Sequence, residues 1–374
     1  MKTTINKITI SSILFCLLTS CNGLNQIHPE KYKGDEDYFS VSGAVNLTGS
    51  GTANCYIVSA AGTYSFPVVK GNSYVSVGEV VSAEVLWESY GTSIEPVIGS
   101  LVSSVAFQGK AIAFDVPSPF KEGNAVIAAK DASGTILWSW HIWLTDQPEE
   151  QVYYNNAGTM MDRNLGATSA TPGDVGALGL LYQWGRKDPF LGSSSISSST
   201  VAKSTITWPS AVSSDSSNGT IAYATEHPTT FIKYSDNYDW YYTGSSSADN
   251  TRWQSNKTIY DPCPSGWRVP DGGSTGIWSE AVVSPSSFTE GLLYDYTNEG
   301  INFTGKFGNS STIWYPASGY RNGYDGSLYD VDCGNYWSVS PDSYEPYFNF
   351  DGRVNPSGCN YRANGQAVRC ARES

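Results

Sequence analysis

The sequence predicts a β-rich chain of two folded regions. Three observations carry that reading. Charged residues make up only 15 % of the 374, well below the quarter usual in globular domains. Trp, Tyr and Phe number 12, 25 and 13, and rings of this kind favour the pleated, half-buried surface of a strand. Gly (37) and Pro (18), with many Ser, Thr and Asn, supply turns between short segments. A chain of this length has room for about two domains. The formal net charge of −13 argues against a nucleic-acid partner, which requires clustered Lys and Arg. The three histidines, His28, His141 and His227, lie far apart in sequence, which disfavours a His-rich metal site or a His relay.

The first element is an export signal, residues 1–20 (MKTTINKITISSILFCLLTS). Lys2 and Lys7 form a basic start, and Ile8 to Leu18 is apolar but too short for a comfortable bilayer span. The run Leu18-Thr-Ser-Cys21 resembles a bacterial lipobox. That resemblance implies cleavage before Cys21, acylation of its thiol and amine, and membrane contact through the acyl chains alone. Residues 21–36 are polar and aperiodic and read as a flexible tether. Lys31 and Lys33 within it offer a protease site, although a plain linker is the simpler reading.

Residues 37–147 read as an all-β region. Short alternating runs begin at Tyr38, Asn54, Gly62, Val85, Ala111 and Ala125. The clearest is Gly134-Thr-Ile-Leu-Trp-Ser-Trp-His-Ile-Trp-Leu. By the period of two, Ile136, Trp138, Trp140, Ile142 and Leu144 share one face, and Leu137, Ser139, His141 and Trp143 the other. About seven short strands over some 110 residues predict an immunoglobulin-like sandwich. His141 is expected to be a packed strand residue. Cys55, with no evident partner in the region, is expected to be a buried free thiol. The stretch from Ala53 to Asn72 and the closing Trp138-Ser-Trp-His-Ile-Trp resemble segments of Bacteroides-type surface proteins.

Residues 148–374 contain six motifs in order. They are Met161-Asp-Arg-Asn-Leu-Gly-Ala-Thr, Gly179-Leu-Leu-Tyr-Gln-Trp-Gly-Arg-Lys-Asp-Pro, and Asp261-Pro-Cys-Pro-Ser-Gly-Trp-Arg-Val-Pro. Then come Tyr315-Pro-Ala-Ser-Gly-Tyr-Arg, Asn335-Tyr-Trp-Ser-Val-Ser and Gly365-Gln-Ala-Val-Arg-Cys-Ala-Arg. In this order they resemble the major paralogous domain family first described in Fibrobacter succinogenes (FISUMP), widespread in lipoproteins of Bacteroidetes. The resemblance implies a small α+β, C-type-lectin-like fold whose chain ends lie together. Relatives are associated with surface adhesion and pilus tips. Composition leaves three pairings open for Cys263, Cys333, Cys359 and Cys370, and an exported chain favours disulfides. The family's recurrent cysteines imply Cys263–Cys370, which leaves Cys333 and Cys359 for a second bond.

The region departs from the family in a long insertion between Pro189 and Pro262. Ser193 to Gly219 is rich in Ser and Thr and reads as a solvated loop. Beyond it, Tyr238, Asp239, Trp240, Tyr241 and Trp253 are ligand-binding candidates. Rings stack on apolar sugar faces while short polar side chains take the hydroxyls. The commoner role for such rings, in a chain with 25 Tyr, is as the core of the loop itself. Asp325, Asp330 and Asp332 lie close in sequence and are the candidates for a Ca²⁺ site. Their spacing fits no EF-hand loop, and the Glu-Pro-Asn and Trp-Asn-Asp signals of Ca²⁺-dependent C-type lectins are absent. Solvated turn acids are the preferred reading, so no cofactor is expected.

Enzyme chemistry is not expected. No His-Glu-x-x-His is present, and the second region has one histidine, His227. Formylglycine-generating enzymes, distantly similar in fold, use a reactive cysteine pair, but the pairing above commits Cys370. The expectation is a lipid-anchored outer-membrane protein exposed at the cell surface. It would bind a glycan or a host or pilus protein as an adhesin, pilus-tip or accessory fimbrial subunit. The alternatives are a structural scaffold with a protein partner and, behind it, a carbohydrate-processing enzyme. Replacing Cys21 by Ser is expected to abolish metabolic labelling with a radioactive fatty acid and to release the chain from the membrane fraction. Labelling that persists in the variant refutes the lipobox reading.

Overall fold

Alternation of apolar side chains sets the first layers of the fold. The computed structural model describes residues 41–373, apart from 236, 246–248, 283–293, 340–343, 349–353 and the side chains of 344–348 and 354–359. The signal segment, the tether and Cys21 therefore lie outside the described residues. In chain order the first strands are β1 (Val45–Asn46), β2 (Cys55–Val58), β3 (Gly62–Pro67), β4 (Ser82–Ser89), β5 (Ser103–Gln108), β6 (Ala111–Val116), β7 (Gly123–Lys130) and β8 (Ile136–Leu144). They form two four-stranded sheets, β1-β3-β6-β5 and β2-β8-β7-β4. The runs from Asn54, Gly62, Val85, Ala111, Ala125 and Gly134 become strands, and the run from Tyr38 contributes Val45–Asn46. β5 is the one that sequence reading passed over, because Ser103-Ser-Val-Ala-Phe-Gln alternates weakly and stays half-buried at a sheet edge.

β8 shows how the layers are built. Trp138, Trp140, Ile142 and Leu144 leave one face, as the period of two requires. They enter the core between the sheets with Phe66, Ile112, Phe114 and Val116. The Phe66 ring lies 5.1 Å from Trp140 and 5.0 Å from Tyr56. The opposite face of the same sheet is buried as well. There Trp143, Val126 of β7, Trp87 of β4 and Cys55 of β2 pack against Met161, Leu165, Tyr182, Trp184 and Val368 of the second region. The two regions expected from sequence thus share a core, and residues 39–374 form one compact unit.

Burial on both faces obliges the polar groups of this sheet to find partners. Trp143 Nε1 donates to the Ala167 carbonyl at 2.9 Å and Asn124 Nδ2 to the Gly166 carbonyl at 2.9 Å. Asn54 donates to the carbonyls of Ile259 (2.8 Å) and Asp261 (2.9 Å) and accepts from Trp138 Nε1 (3.0 Å). Ser139 donates to Asp188 Oδ1 at 2.5 Å and receives Lys187 Nζ at 2.6 Å. His141 is a packed strand residue, as expected. Its Nε2 lies 2.8 Å from Asn124 Oδ1, Nδ1 has no partner, and burial pushes its pKa down to about 3, so the ring is neutral.

The second region continues with β9 (Glu150–Tyr153), β10 (Gly158–Met161), β11 (Leu180–Gln183), β12 (Phe190–Leu191), β13 (Val212–Ser213), β14 (Ile232–Lys233), β15 (Trp267–Arg268), β16 (Tyr294–Asp295), β17 (Gly300–Asn302), β18 (Trp314–Pro316), β19 (Tyr320–Arg321), β20 (Leu328–Tyr329), β21 (Gly334–Asn335), β22 (Tyr344–Phe348), β23 (Val354–Cys359), β24 (Gly365–Ala367) and β25 (Ala371–Arg372). Helix is sparse. Among the described residues only α1 (Ile221–Glu226), capped by the Thr220 hydroxyl, and α2 (Ile277–Ala281) are α-helical, so the helical share of an α+β region is small. β15, β25, β10 and β9 make one sheet, which brings the first strand of the region, β9, and its last, β25, together on either side of β10. β12-β11-β24-β19-β20 make another, and this sheet positions the surface described below. The bond Cys263–Cys370 is formed. The second expected pair, Cys333–Cys359, involves a side chain outside the described residues. None of the helices among the described residues is long and apolar enough to cross a membrane.

Two predictions follow the packing. Cys263–Cys370 closes a loop of 107 residues, so Cys370→Ser is expected to lower the unfolding free energy by about 4–5 kcal/mol on chain-entropy grounds, read by urea melts. His141 adds a pH dependence. The unfolded chain takes up a proton near pH 6.5 that the folded chain refuses until about pH 3. Stability is therefore intact above pH 6.5 and falls by about 1.4 kcal/mol per pH unit below it. In His141→Gln that component of the slope between pH 4 and 6.5 should vanish.

Candidate functional site

The insertion does not form a solvated loop throughout. Ala202, Ile206 and Trp208 pack on the shared core, and Ala224, Ile232 and Trp240 build a small core of their own with Ala363. Under that core lies a layer of buried charge. Asp239 pairs with Arg252, and Arg362 stands 3.7 Å from the same carboxylate. Arg252 lies over Trp184 (5.0 Å) and Trp240 (4.7 Å), and Arg362 over Trp184 (4.3 Å). Guanidinium groups suit this role, since they stack on rings and keep in-plane donors for carbonyls. Arg362 uses its donors on the Asp249 carbonyl (2.9 Å) and Asn250 Oδ1 (2.6 Å).

Above this layer three segments meet at the surface. The Tyr234 amide donates to the Gly323 carbonyl, the Gly323 amide to Asn364 Oδ1, and the Ala363 amide to the Tyr238 carbonyl. They present four tyrosines. Tyr238 and Tyr361 stack at 4.3 Å and 14°; Tyr234 lies 5.2 Å from Tyr238, 5.5 Å from Tyr361 and 6.3 Å from Tyr324. Tyr324 is 71 % exposed, Tyr238 49 % and Tyr361 45 %, so this is an aromatic platform open to solvent. Tyr238 holds a left-handed backbone with φ of +57°. A bulky residue there is strained by an amount of order 1–3 kcal/mol and persists only where its surroundings enforce it. The neighbouring Asp239–Arg252 pair and the Ala363 bond do so.

Beside the platform, on the other flank of the β19–β20 hairpin, is a cleft of about 390 Å³. Phe190, Phe231 and half-buried Trp208 form its aromatic wall, with Arg321, Asp325, Ser327 and Thr229 among its polar lining. The hairpin needs Gly326 at its turn. Its φ is +79°, and a Cβ there would meet Phe231 at 3.1 Å and Ala211 at 3.3 Å.

Of the five sequence candidates, the structure leaves Tyr238 fully at the surface. Tyr241 is half-buried against Arg252. Asp239, Trp240 and Trp253 are corrections: all three are interior, with Trp240 Nε1 donating to the Trp184 carbonyl (2.7 Å) and Trp253 Nε1 to the Tyr260 carbonyl (2.9 Å). Apolar burial of the indoles and ion pairing of the acid outcompeted exposure. Tyr234, Tyr324, Tyr361, Trp208 and Arg321 were missed, because segments as far apart as Trp208 and Tyr361 carry no local signal of convergence. The calcium candidates Asp325, Asp330 and Asp332 lie in the β19–β20 turn and just after β20. Asp325 accepts from the Ser327 amide and Tyr329 Oη, and among the described residues no group of three or more His, Cys, Asp or Glu is placed to hold a metal.

Two arrangements bear on hydrolytic chemistry. Gly272-Gly-Ser-Thr-Gly276 has Gly-x-Ser-x-Gly spacing, a match that sequence reading overlooked. It forms a 3₁₀ turn with Ser274 exposed. The described histidines are engaged elsewhere, His141 with Asn124 and His227 against Tyr223. The Ser139–Lys187–Asp188 cluster places a hydroxyl beside an amine, but all three side chains are buried. The adjoining void, about 10 Å³, holds no more than a water.

No family model, curated protein or solved structure matches this chain.

Replacing Asp239 by Asn is expected to lower stability by about 3–5 kcal/mol, because it leaves Arg252 buried without its counter-charge. Thermal melts read the loss. A cost below about 1 kcal/mol would show that the ion pair does not hold the platform.

Proposed function

We propose that this chain is an exported, lipid-anchored surface protein that binds glycans. The observation that carries the reading is the tyrosine platform, three of whose four rings stand open to solvent over a strained and heavily braced backbone. Exposed rings gathered in one place mark interaction surfaces. Tyr offers sugars both an apolar face and a hydroxyl, with Asn237 and Asn360 close in the chain for further hydroxyls. The signal, lipobox and tether support a place at the outer-membrane surface. The six ordered motifs, and the sheet that holds the region's first and last strands on either side of β10, support a FISUMP-type, C-type-lectin-like identity for it. The two four-stranded sheets over one core support the immunoglobulin-like reading of the first region. Adhesion, with a pilus-tip or accessory role as one form of it, is the biological setting this reading suggests.

A second reading, docking to a protein partner, is favoured by one other feature. Ile94, Val97 and Ile98 project from the β4–β5 loop at 65–78 % exposure. Buried Glu88 fixes that loop by accepting from the amides of Gly99, Leu101 and Val102.

The test is binding of the full chain, solubilised in detergent, to a glycan array and to mucin. Saturable binding is expected, weakened about ten-fold by Tyr238→Ala or Tyr361→Ala, a change equivalent to about 1.4 kcal/mol, and unchanged by EDTA. Absence of binding to any glycan overturns the proposal. Binding lost instead on replacing Ile94 and Val97 by Ser, with protein ligands only, establishes the second reading.

A further inference from the structure

The cleft beside the platform has a chemistry of its own, set by Arg321. This side chain comes from β19, next to the hairpin turn, and lies half-buried in the cleft wall. Its Nε donates to the Leu191 carbonyl at 2.9 Å and its Nη1 to the Gly326 carbonyl at 2.8 Å. These bonds fix the plane of the guanidinium. They use two of its five N–H donors and leave both on Nη2. No carboxylate among the described residues stands within ion-pair distance of it. Asp325, on the same cleft, is occupied by the Ser327 amide and Tyr329 Oη. Burial alone, with no acidic neighbour to oppose it, brings the Arg321 pKa down to about 10, so the group is still cationic at neutral pH.

A half-buried, oriented cation without a paired carboxylate carries a desolvation cost, and it stands unpaired although the chain's net charge is −13. It stands in a cleft of about 390 Å³, within the range of ordinary small-ligand sites. Trp208, half-buried, offers a ring to the same space.

We propose that this cleft binds a sugar bearing a carboxylate, with Arg321 pairing the carboxylate and Trp208 carrying an apolar face of the ring. Asp325, Ser327 and Thr229 are placed along the lining to take hydroxyls. A planar carboxylate fits the edge of a fixed guanidinium better than a neutral hydroxyl does, and the charge-assisted bond is the stronger one. The inference rests on the glycan-binding reading above and assigns its ligand class. The platform then extends the same binding surface along the glycan chain.

The experiment uses the full chain in detergent and, as probes, D-galacturonate, D-glucuronate and N-acetylneuraminate, each beside its methyl ester. Saturation-transfer NMR and calorimetry read the binding. At least ten-fold preference for the free acids is expected, declining as salt is raised. Arg321→Gln should abolish the preference, and Arg321→Lys, which keeps the charge and loses the fork, should reduce it several-fold. Trp208→Ala should weaken acid and ester alike. Thermal melts identify a variant that fails to fold, and the acid–ester comparison on the unaltered chain tests the proposal without any variant. Equal binding of acid and ester overturns it. Binding of neutral glycans that depends on Tyr238, with no acid preference, overturns this inference and leaves the glycan-binding reading standing. No binding of any sugar overturns both.

Discussion

The sheet β2-β8-β7-β4 is apolar on both faces, and the rest of the structure follows from that. One face closes the core of the sandwich through Trp138, Trp140 and Ile142. The other, with Trp143, Trp87 and Val126, would be a large exposed patch if the first region stood alone. The second region covers it. A connection that composition marks as a boundary, near residue 147, therefore separates two chain segments without separating two cores. The fixed chemistry of β8 also explains the polar ties across this layer. Once Asn54, Asn124, Ser139 and Trp143 were taken from water, each had to be matched by a carbonyl, amine or carboxylate of the second region.

The motifs of the second region act mostly inside. Arg163 is paired with Asp162, and Arg369 reaches Asn164 Oδ1 (3.1 Å) and the Trp314 carbonyl (2.6 Å) while lying 3.9 Å from the centre of the Tyr315 ring. Asp261 accepts from the amides of Cys263 and Val269 at 2.9 Å each, beside the disulfide. Removing either end of such a contact leaves a buried polar group unmatched, which is why short motifs of Asp, Arg, Asn and Trp can specify a frame. The aromatic surface proposed to meet a ligand is drawn largely from elsewhere: the insertion supplies Trp208, Tyr234 and Tyr238, and the β19–β20 hairpin supplies Tyr324. Arg321 is the exception, since it ends the Tyr315-Pro-Ala-Ser-Gly-Tyr-Arg motif. Frame and proposed binding surface touch there, through the carbonyls that orient its guanidinium.

Strands were legible wherever one face alternated cleanly, as in β3, β6 and β8, because period two is a local property of the chain. β5 was not, since an edge strand needs only half its side chains buried and its sequence shows it. The buried state of Asp239, Trp240 and Trp253 was not legible either. The same string of aromatic and acidic residues serves a sugar platform or a loop core, and what decided was the arrival of Arg252 from thirteen residues on and Arg362 from beyond one hundred. Both neutralise the acid and stack on the indoles.

The sequence by itself determined the strand-rich character of the chain, the faces of its clearest strands, and the interior role of His141 and Cys55. These depend on composition and short-range period. Only the tertiary structure decided which tyrosines see solvent, that Trp240 and Trp253 are interior, and that Arg321 stands without a paired carboxylate in an aromatic cleft. Each of those is a relation between segments brought together by burial of the central sheet and by the Cys263–Cys370 closure. A local pattern carries no record of which distant carbonyl, ring or charge will complete its neighbourhood.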